Sequence, residues 1–284
     1  MKIHTRFLKA LGIVLVLTLL MSIRPMNEAV AQTGDKLYVA EWGIPTTAFT
    51  LSSGAPRPTV VFDGTTYHLW NGIGDNELYY TTSPNPDNFS AGTLTTYDSE
   101  PYEVSSPTIV LEEGTFYMIA YKTGDNTIFS IYTSTDGVAW TYQGDVFDGT
   151  GLGTQGTVWE KIDAPVLLKD DTTYKLYFQV KSASGDYSIY MAETGTTTLA
   201  DIADGNDDND FVLANSNAPV LTVGASGDPD EDKVQHPMVV KDGGEYFMWY
   251  TGVAPSGSSY YWRSINLAKS SDGITWTKSP GNPI

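Results

Sequence analysis

The chain has 284 residues, with 34 acidic against 16 basic side chains and a formal net charge of −18. This charge repels phosphate backbones and anionic lipids, so the sequence argues against nucleic-acid and membrane-surface partners. The absence of cysteine excludes disulfides and thiol chemistry, and two histidines beyond the N-terminal 31 residues, His68 and His236, exclude a multi-histidine zinc site.

The N-terminus has the layout of a secretory signal peptide. Lys2, Arg6 and Lys9 precede the apolar run Ala10–Ile23, and Ala29-Val30-Ala31 forms a small-x-small cleavage site. The run is too short and too early to favour a membrane span, with a retained N-terminal anchor as the alternative. We therefore predict an exported protein with a signal peptide at 1–31 and one domain at 32–284.

Four segments of the mature chain repeat one layout. Each has a proline, a short apolar run, an Asp-Gly, Glu-Gly or Asp-Asp turn, and an aromatic-rich return. Proline suits the first residue of a strand, and the turn residues tolerate the positive φ of a hairpin. The pattern predicts a β-hairpin in each of the four segments Arg57–Trp70, Ser106–Tyr121, Ala164–Phe178 and His236–Tyr250.

A third strand is predicted after each hairpin, and two repeats then carry a Ser-x-Asp-Gly signature. The two copies are Ser134–Trp140 and Ser270–Trp276. The signature predicts a turn into an outer fourth strand, with an aromatic side chain folded back onto the sheet. A sugar or calcium contact is the alternative, but a turn that fastens the sheet is the reading we favour.

The repeats predict an all-β fold, a β-propeller of four-stranded antiparallel blades with four blades visible. The irregular stretch Thr197–Asn217 leaves room for a short helix. Ser279–Ile284 resembles the approach to another repeat. We favour a sequence that stops before a fifth blade, and the alternative is that residues 36–50 help to close the ring.

Three strings resemble the five-bladed β-propeller glycosidases of glycoside hydrolase families 43, 32, 68 and 130. They are Ile162–Pro165, Met248–Gly252 and Asn266–Trp276. The resemblance implies a carbohydrate site in the funnel where the inner strands converge. In families 43 and 32 it implies three acids from the first three blades, which serve as base or nucleophile, as an orienting group and as general acid.

Asp163 occupies the place that the resemblance assigns to the general acid, two residues before the blade proline in Asp163-Ala164-Pro165. Glu160 is the substitute candidate. The first and second blades have Arg57-Pro58 and Ser105-Ser106-Pro107 where the families place their other acids. The alternative for Asp163 is a carboxylate that caps backbone amides at the ends of strands.

Substrate-binding roles are predicted for Arg57, Ser106 and His236, which directly precede blade prolines, and for Trp159, which lies near Asp163 in the sequence. Arg57 and His236 could bind sugar hydroxyls or a carboxylated sugar, or could pair and pack between blades. Trp159 could stack on a sugar ring. Trp70 and Trp249 lie on second strands and are predicted to pack between blades.

Residues 204–210 place oxygen ligands at alternating positions, as a calcium loop does, but lack the glycine and the final glutamate of that motif. A solvated acidic loop is therefore the default, and we expect no cofactor apart from this calcium alternative. We expect a monomer that acts on a poly- or oligosaccharide as a glycoside hydrolase. A non-catalytic glycan-binding propeller and an interaction scaffold are the alternatives.

Overall fold

The computed structural model describes residues 57–73, 77–86, 88–98, 104–122, 125–150, 152, 159–206, 210–255 and 261–284. The predicted signal peptide at 1–31 and the segment 36–50 lie outside these residues. Within the described ranges, no helix combines the length and the apolar character that crossing a membrane requires.

The first two blades are antiparallel sheets of four strands each. The first contains β1 (Arg57–Phe62), β2 (Tyr67–Ile73), β3 (Glu77–Ser83) and β4 (Thr93–Leu94). The second contains β6 (Val104–Glu112), β7 (Thr115–Lys122), β8 (Ile128–Ser134) and β9 (Ala139–Asp148). Strand β5 (Thr96–Tyr97) pairs in parallel with β9, so the connection from the first blade is fastened to the outer edge of the second.

The third and fourth blades repeat this order. The third contains β10 (Trp159–Asp170), β11 (Thr173–Ser182), β12 (Tyr187–Thr194) and β13 (Val212–Leu213). The fourth contains β14 (Lys233–Asp242), β15 (Glu245–Pro255), β16 (Tyr261–Ser270) and β17 (Thr277–Lys278). A short helix, α1 (Leu199–Ile202), lies in the irregular stretch before β13, where room for one was predicted.

The four predicted hairpins are confirmed. Each joins the first and second strands of a blade, and Gly64, Gly114 and Gly244 adopt positive φ in three of the turns. One prediction about these strands was wrong. Proline does not begin β6, β10 or β14, because these strands start three to six residues earlier and place the proline at a bulge. A bulge tolerates proline because it needs no ladder N–H there.

The innermost strands are neighbours in chain order, since β1 contacts β6, β6 contacts β10, and β10 contacts β14. Aromatic side chains fill the spaces between adjacent blades. Trp70 is fully buried against Phe116 and Trp140, which confirms its predicted packing between blades. Trp249 is also buried, in an apolar cluster that belongs to the fourth blade.

The Ser-x-Asp-Gly signature fastens one blade to the previous one. Within the turn, the Asp136 carboxylate accepts hydrogen bonds from the N–H groups of Val138 and Ala139, both at 2.8 Å. Gly137 then presents its carbonyl to the indole N–H of Trp70 in the first blade, at 2.8 Å. The second copy repeats this contact, because Gly273 accepts from the hydroxyl of Tyr177 at 2.9 Å. The favoured reading of the signature, a turn that packs the sheets, is confirmed.

Candidate functional site

Three inner strands carry the same bulge. The pairing of β6, β10 and β14 with their neighbours is interrupted between Ser105 and Thr108, between Asp163 and Val166, and between Gln235 and Met238. A bulge of this kind bends a strand and re-aims the side chains around it. Each bulge includes a blade proline, so the repeated prolines mark one recurring backbone shape.

The residue before each of these prolines adopts the left-handed conformation. The φ angles are +50° for Ser106, +51° for Ala164 and +50° for His236. A residue other than glycine costs about 1 kcal/mol or more in this region, so the surrounding sheet must hold it in place. Strained residues cluster at functional sites, which makes these three bulges the first candidate for one.

The strand register identifies one equivalent position in each blade. Arg57 lies opposite Gly72, Ser105 opposite Tyr121, Asp163 opposite Gln179, and Gln235 opposite Thr251. We call Arg57, Ser105, Asp163 and Gln235 the mouth positions. They supply one cation, one hydroxyl, one carboxylate and one amide, so a single mouth position is acidic.

Asp163 is 3% exposed, and its carboxylate is held from two sides. One oxygen, Oδ1, accepts a hydrogen bond of 2.7 Å from the N–H of Ala164, the strained residue of the bulge. The other, Oδ2, lies 3.4 Å from the Lys161 ammonium. The carboxylate therefore has a fixed orientation and a cation beside it.

Lys161 joins the candidate acid to the second blade. Its ammonium lies 3.5 Å from the Tyr121 hydroxyl and 4.5 Å from the centre of the Tyr121 ring. An ammonium over a tyrosine ring is attracted by the negative face of the ring. Sequence reasoning missed Lys161 and Tyr121, although the two-residue spacing of Lys161 and Asp163 on a strand was a signal that they share a face.

Glu160, the substitute acid, is in a different environment from Asp163. Its side chain is 49% exposed and forms an ion pair with Lys181 at 2.5 Å. Solvent screens such a pair, and the glutamate stays accessible. The two candidate acids thus differ in burial, and Asp163 is the enclosed one.

The predicted substrate-binding residues have different surroundings. Ser106 and His236 occupy the strained positions of two bulges, and the N–H of His236 donates to Gln179 Oε1 at 3.0 Å. Arg57 begins β1 opposite Gly72, which places it at the mouth, while its side chain lies outside the described residues. Gln179 had no sequence signal, because its place opposite Asp163 follows only from the register.

The burial of Trp159 contradicts its predicted stacking on a sugar. Its side chain is 5% exposed, and its ring packs against Tyr190, Phe178 and Phe147 at centroid distances of 4.8, 6.0 and 6.3 Å. A sugar can stack only on an accessible ring face. Trp159 is therefore a core residue at the junction of the second and third blades.

The described residues contain no group of three or more His, Asp or Glu side chains placed to hold a metal ion. The calcium alternative at 204–210 falls partly on residues 207–209, which lie outside the described part. In the portion that is described, Asp204 uses both carboxylate oxygens to accept from the backbone and side-chain nitrogens of Asn206, each at 2.9 Å. Those contacts are typical of a turn.

No protein-family model matches the sequence, and no curated protein sequence matches it. Solved structures do match the fold. A thermostable family-43 glycoside hydrolase superposes with a TM-score of 0.60 at 21% identity, over 81% of this chain and 73% of that one. The family-43 protein BlXynB from Bacillus licheniformis gives 0.57 at 16% identity, over 84% and 45%.

An α-L-arabinanase from Cellvibrio cellulosa gives a TM-score of 0.55 at 12% identity, over 82% of this chain and 76% of that one. Identities this low establish a shared fold. The predicted propeller of four-stranded antiparallel blades is confirmed, and this chain has the architecture of the family-43 glycoside hydrolases.

Proposed function

We propose that this protein is a glycoside hydrolase that acts on a poly- or oligosaccharide at the mouth positions of the propeller. The observation that carries the proposal is Asp163, a carboxylate that is 3% exposed and fixed at a strained bulge. Active-site side chains are commonly held in this way, so that the reacting group has one orientation when the substrate arrives.

In this proposal Asp163 is the general acid and Glu160 is the alternative for that role. Glycosidic cleavage needs one carboxyl to protonate the leaving oxygen and a second to activate water or attack the sugar. The environments of the two candidates support this order, because Asp163 is enclosed while Glu160 is 49% exposed and paired with Lys181.

A second function is favoured by the mouth positions themselves. Ser105 and Gln235 occupy the places that correspond to Asp163 in the second and fourth blades, and neither can transfer a proton as a carboxyl does. A propeller with this rim could bind a glycan without cleaving it.

One experiment separates the two functions. Wild type, Asp163→Asn and Glu160→Gln are incubated with arabinan, xylan and β-1,3-galactan, and released sugar and binding are both measured. Hydrolysis through Asp163 predicts release by wild type and by Glu160→Gln, and loss of release with retained binding in Asp163→Asn. Equal release by all three proteins would remove both residues as the acid. Binding without release by wild type would establish the non-catalytic alternative.

We further propose that the protein is exported, with cleavage after Ala31, and that it works as a monomer. The charged start, apolar run and small-x-small site support export. Mass spectrometry of protein recovered from the cell exterior would give a mature chain beginning at Gln32, whereas retention of residues 1–31 would indicate an anchor. Light scattering would measure the molar mass in solution, and a dimer mass would contradict the proposed monomer.

A further inference from the structure

Two glutamines beside Asp163 are almost completely buried. Gln179 is 6% exposed on β11 directly opposite Asp163, and Gln235 is 9% exposed at the mouth position of the fourth blade. They are neighbours, because Gln179 Oε1 accepts from the N–H of His236, the residue after Gln235.

Their amide groups are under-used. Gln179 Nε2 has no hydrogen-bond partner among the described residues, and in the same ranges neither side-chain atom of Gln235 has one. None of these three atoms is among the polar atoms that the fold seals from solvent. Both side chains are therefore enclosed along most of their length, while these three polar atoms keep some contact with solvent.

Three amide atoms without a protein partner in the described part of the chain, on two side chains that lie beside each other, can exchange water for the polar groups of a ligand. A primary amide offers a donor and an acceptor next to each other. A pair of adjacent sugar hydroxyls offers the complementary acceptor and donor. The amides carry no charge, and the acidic chain as a whole repels an anionic sugar.

We propose that Gln179 and Gln235 form a subsite that binds adjacent hydroxyl groups of a neutral sugar, on the fourth-blade side of Asp163. The inference rests on the proposed function, because it places the same glycan at the mouth positions. Gln235 binds through both amide atoms. Gln179 binds through Nε2 alone, since its Oε1 already holds the backbone of His236.

The test uses isothermal titration calorimetry on the full chain with arabino-, xylo- and β-1,3-galacto-oligosaccharides, and with oligogalacturonate as the anionic comparison. The variants are Gln235→Leu and Gln179→Leu. The matched control is Gln143→Leu on β9, which is not a mouth position. The Gln143 amide donates a hydrogen bond of 3.0 Å to the Thr133 hydroxyl. Thermal unfolding of each variant is recorded in parallel.

We expect Gln235→Leu to weaken binding of the best neutral oligosaccharide about tenfold, the worth of one to two hydrogen bonds, with no loss of thermal stability. Gln179→Leu should weaken binding and also lower stability, because His236 loses its acceptor. Gln143→Leu should bind as wild type does.

Unchanged affinity in Gln235→Leu, or tighter binding of oligogalacturonate than of every neutral sugar, would overturn the inference while leaving the proposed function in place. A fall in melting temperature in Gln235→Leu as large as that in Gln179→Leu would show that the Gln235 amide has a structural role. That result would overturn the subsite whatever the binding data show. If wild type binds none of the sugars, the proposed function and the subsite are both rejected.

Discussion

Tyr246 in the fourth blade donates its phenol hydrogen to Asp170 in the third blade at 2.6 Å, and Tyr174 makes the same contact to Glu112 one junction earlier. A lysine accompanies each tyrosine, because Lys241 pairs with Asp170 and Lys169 with Glu112. The hairpin acid of one blade is thus bound by a lysine and a tyrosine that face each other across the next blade's hairpin. This repeated contact predicts how stability responds to pH.

Asp170 should stabilise the fold at neutral pH and lose that effect in acid. Burial raises its pKa, but hydrogen bonds from Lys241, Tyr246 and Lys175 outweigh burial and lower the pKa from 3.8 to about 2. Because the folded-state value lies below the unfolded one, the contribution is complete above about pH 4 and disappears as the pH falls toward 2. Urea unfolding of Asp170→Asn should show a loss of about 2 kcal/mol at pH 7 and a smaller loss at pH 3.

The control for this measurement is Asp242→Asn, which changes the corresponding, exposed hairpin acid of the fourth blade. It should unfold as wild type does at both pH values. A constant difference between Asp170→Asn and wild type from pH 7 to pH 3 would contradict the assignment.

Gly137 should not accept a side chain. Its φ is +77°, and an added Cβ would lie 2.9 Å from the Tyr80 ring and 3.0 Å from the Trp70 ring. Gly137→Ala should therefore cost about 1–3 kcal/mol and lower the melting temperature by several degrees. Gly195→Ala is the control, because nothing lies within 4 Å of its added Cβ. Equal melting temperatures for the two variants would rule out the close approach between blades.

The strain at Ala164 predicts an unusual response to glycine. Glycine adopts φ near +51° without strain, so Ala164→Gly should leave the free energy of unfolding unchanged or raise it by up to about 1 kcal/mol. Ala192→Gly, at a fully buried position inside β12, should lower it by about 1 kcal/mol or more. Chemical unfolding of both variants gives the comparison, and a similar loss in each would argue against strain.

Trp159 should behave as a core residue. Removing its ring from among Tyr190, Phe178 and Phe147 leaves a large cavity, so Trp159→Ala should cost about 3–5 kcal/mol in urea unfolding. Trp159→Phe should cost less because it retains part of the packing. A stable Trp159→Ala variant with weakened glycan binding would instead restore the stacking role.

The blades could be predicted because their information is local. A proline, an apolar run and a turn within about twenty residues specify each hairpin, and Trp70 lies on a strand whose pattern already predicts burial. The site is harder to predict from the sequence, because its composition depends on strand pairing between residues that are far apart in the chain. Gln179 becomes relevant only through its register opposite Asp163, and Gln235 was overlooked in favour of His236, which stands next to the proline.

The bulges explain the remaining errors. Serine, alanine and histidine do not indicate a left-handed backbone, so the conformation of Ser106, Ala164 and His236 had no signal in the sequence. Trp159 was placed at the mouth because it is close to Asp163 in sequence. In the structure β10 begins at Trp159, and a register shift between Trp159 and Lys161 accompanies the turn of its ring into the core.

The shared bulge has a consequence for how such a rim can change over time. One backbone shape presents Ser105, Asp163 and Gln235 in three blades, so their chemistry is set by side chain alone. Replacing Ser105 by aspartate or Gln235 by glutamate would add acids to the rim without asking the chain to fold differently. In the proposed glycan site, one substitution at such a position would therefore change the number of carboxyls while the strand keeps its path.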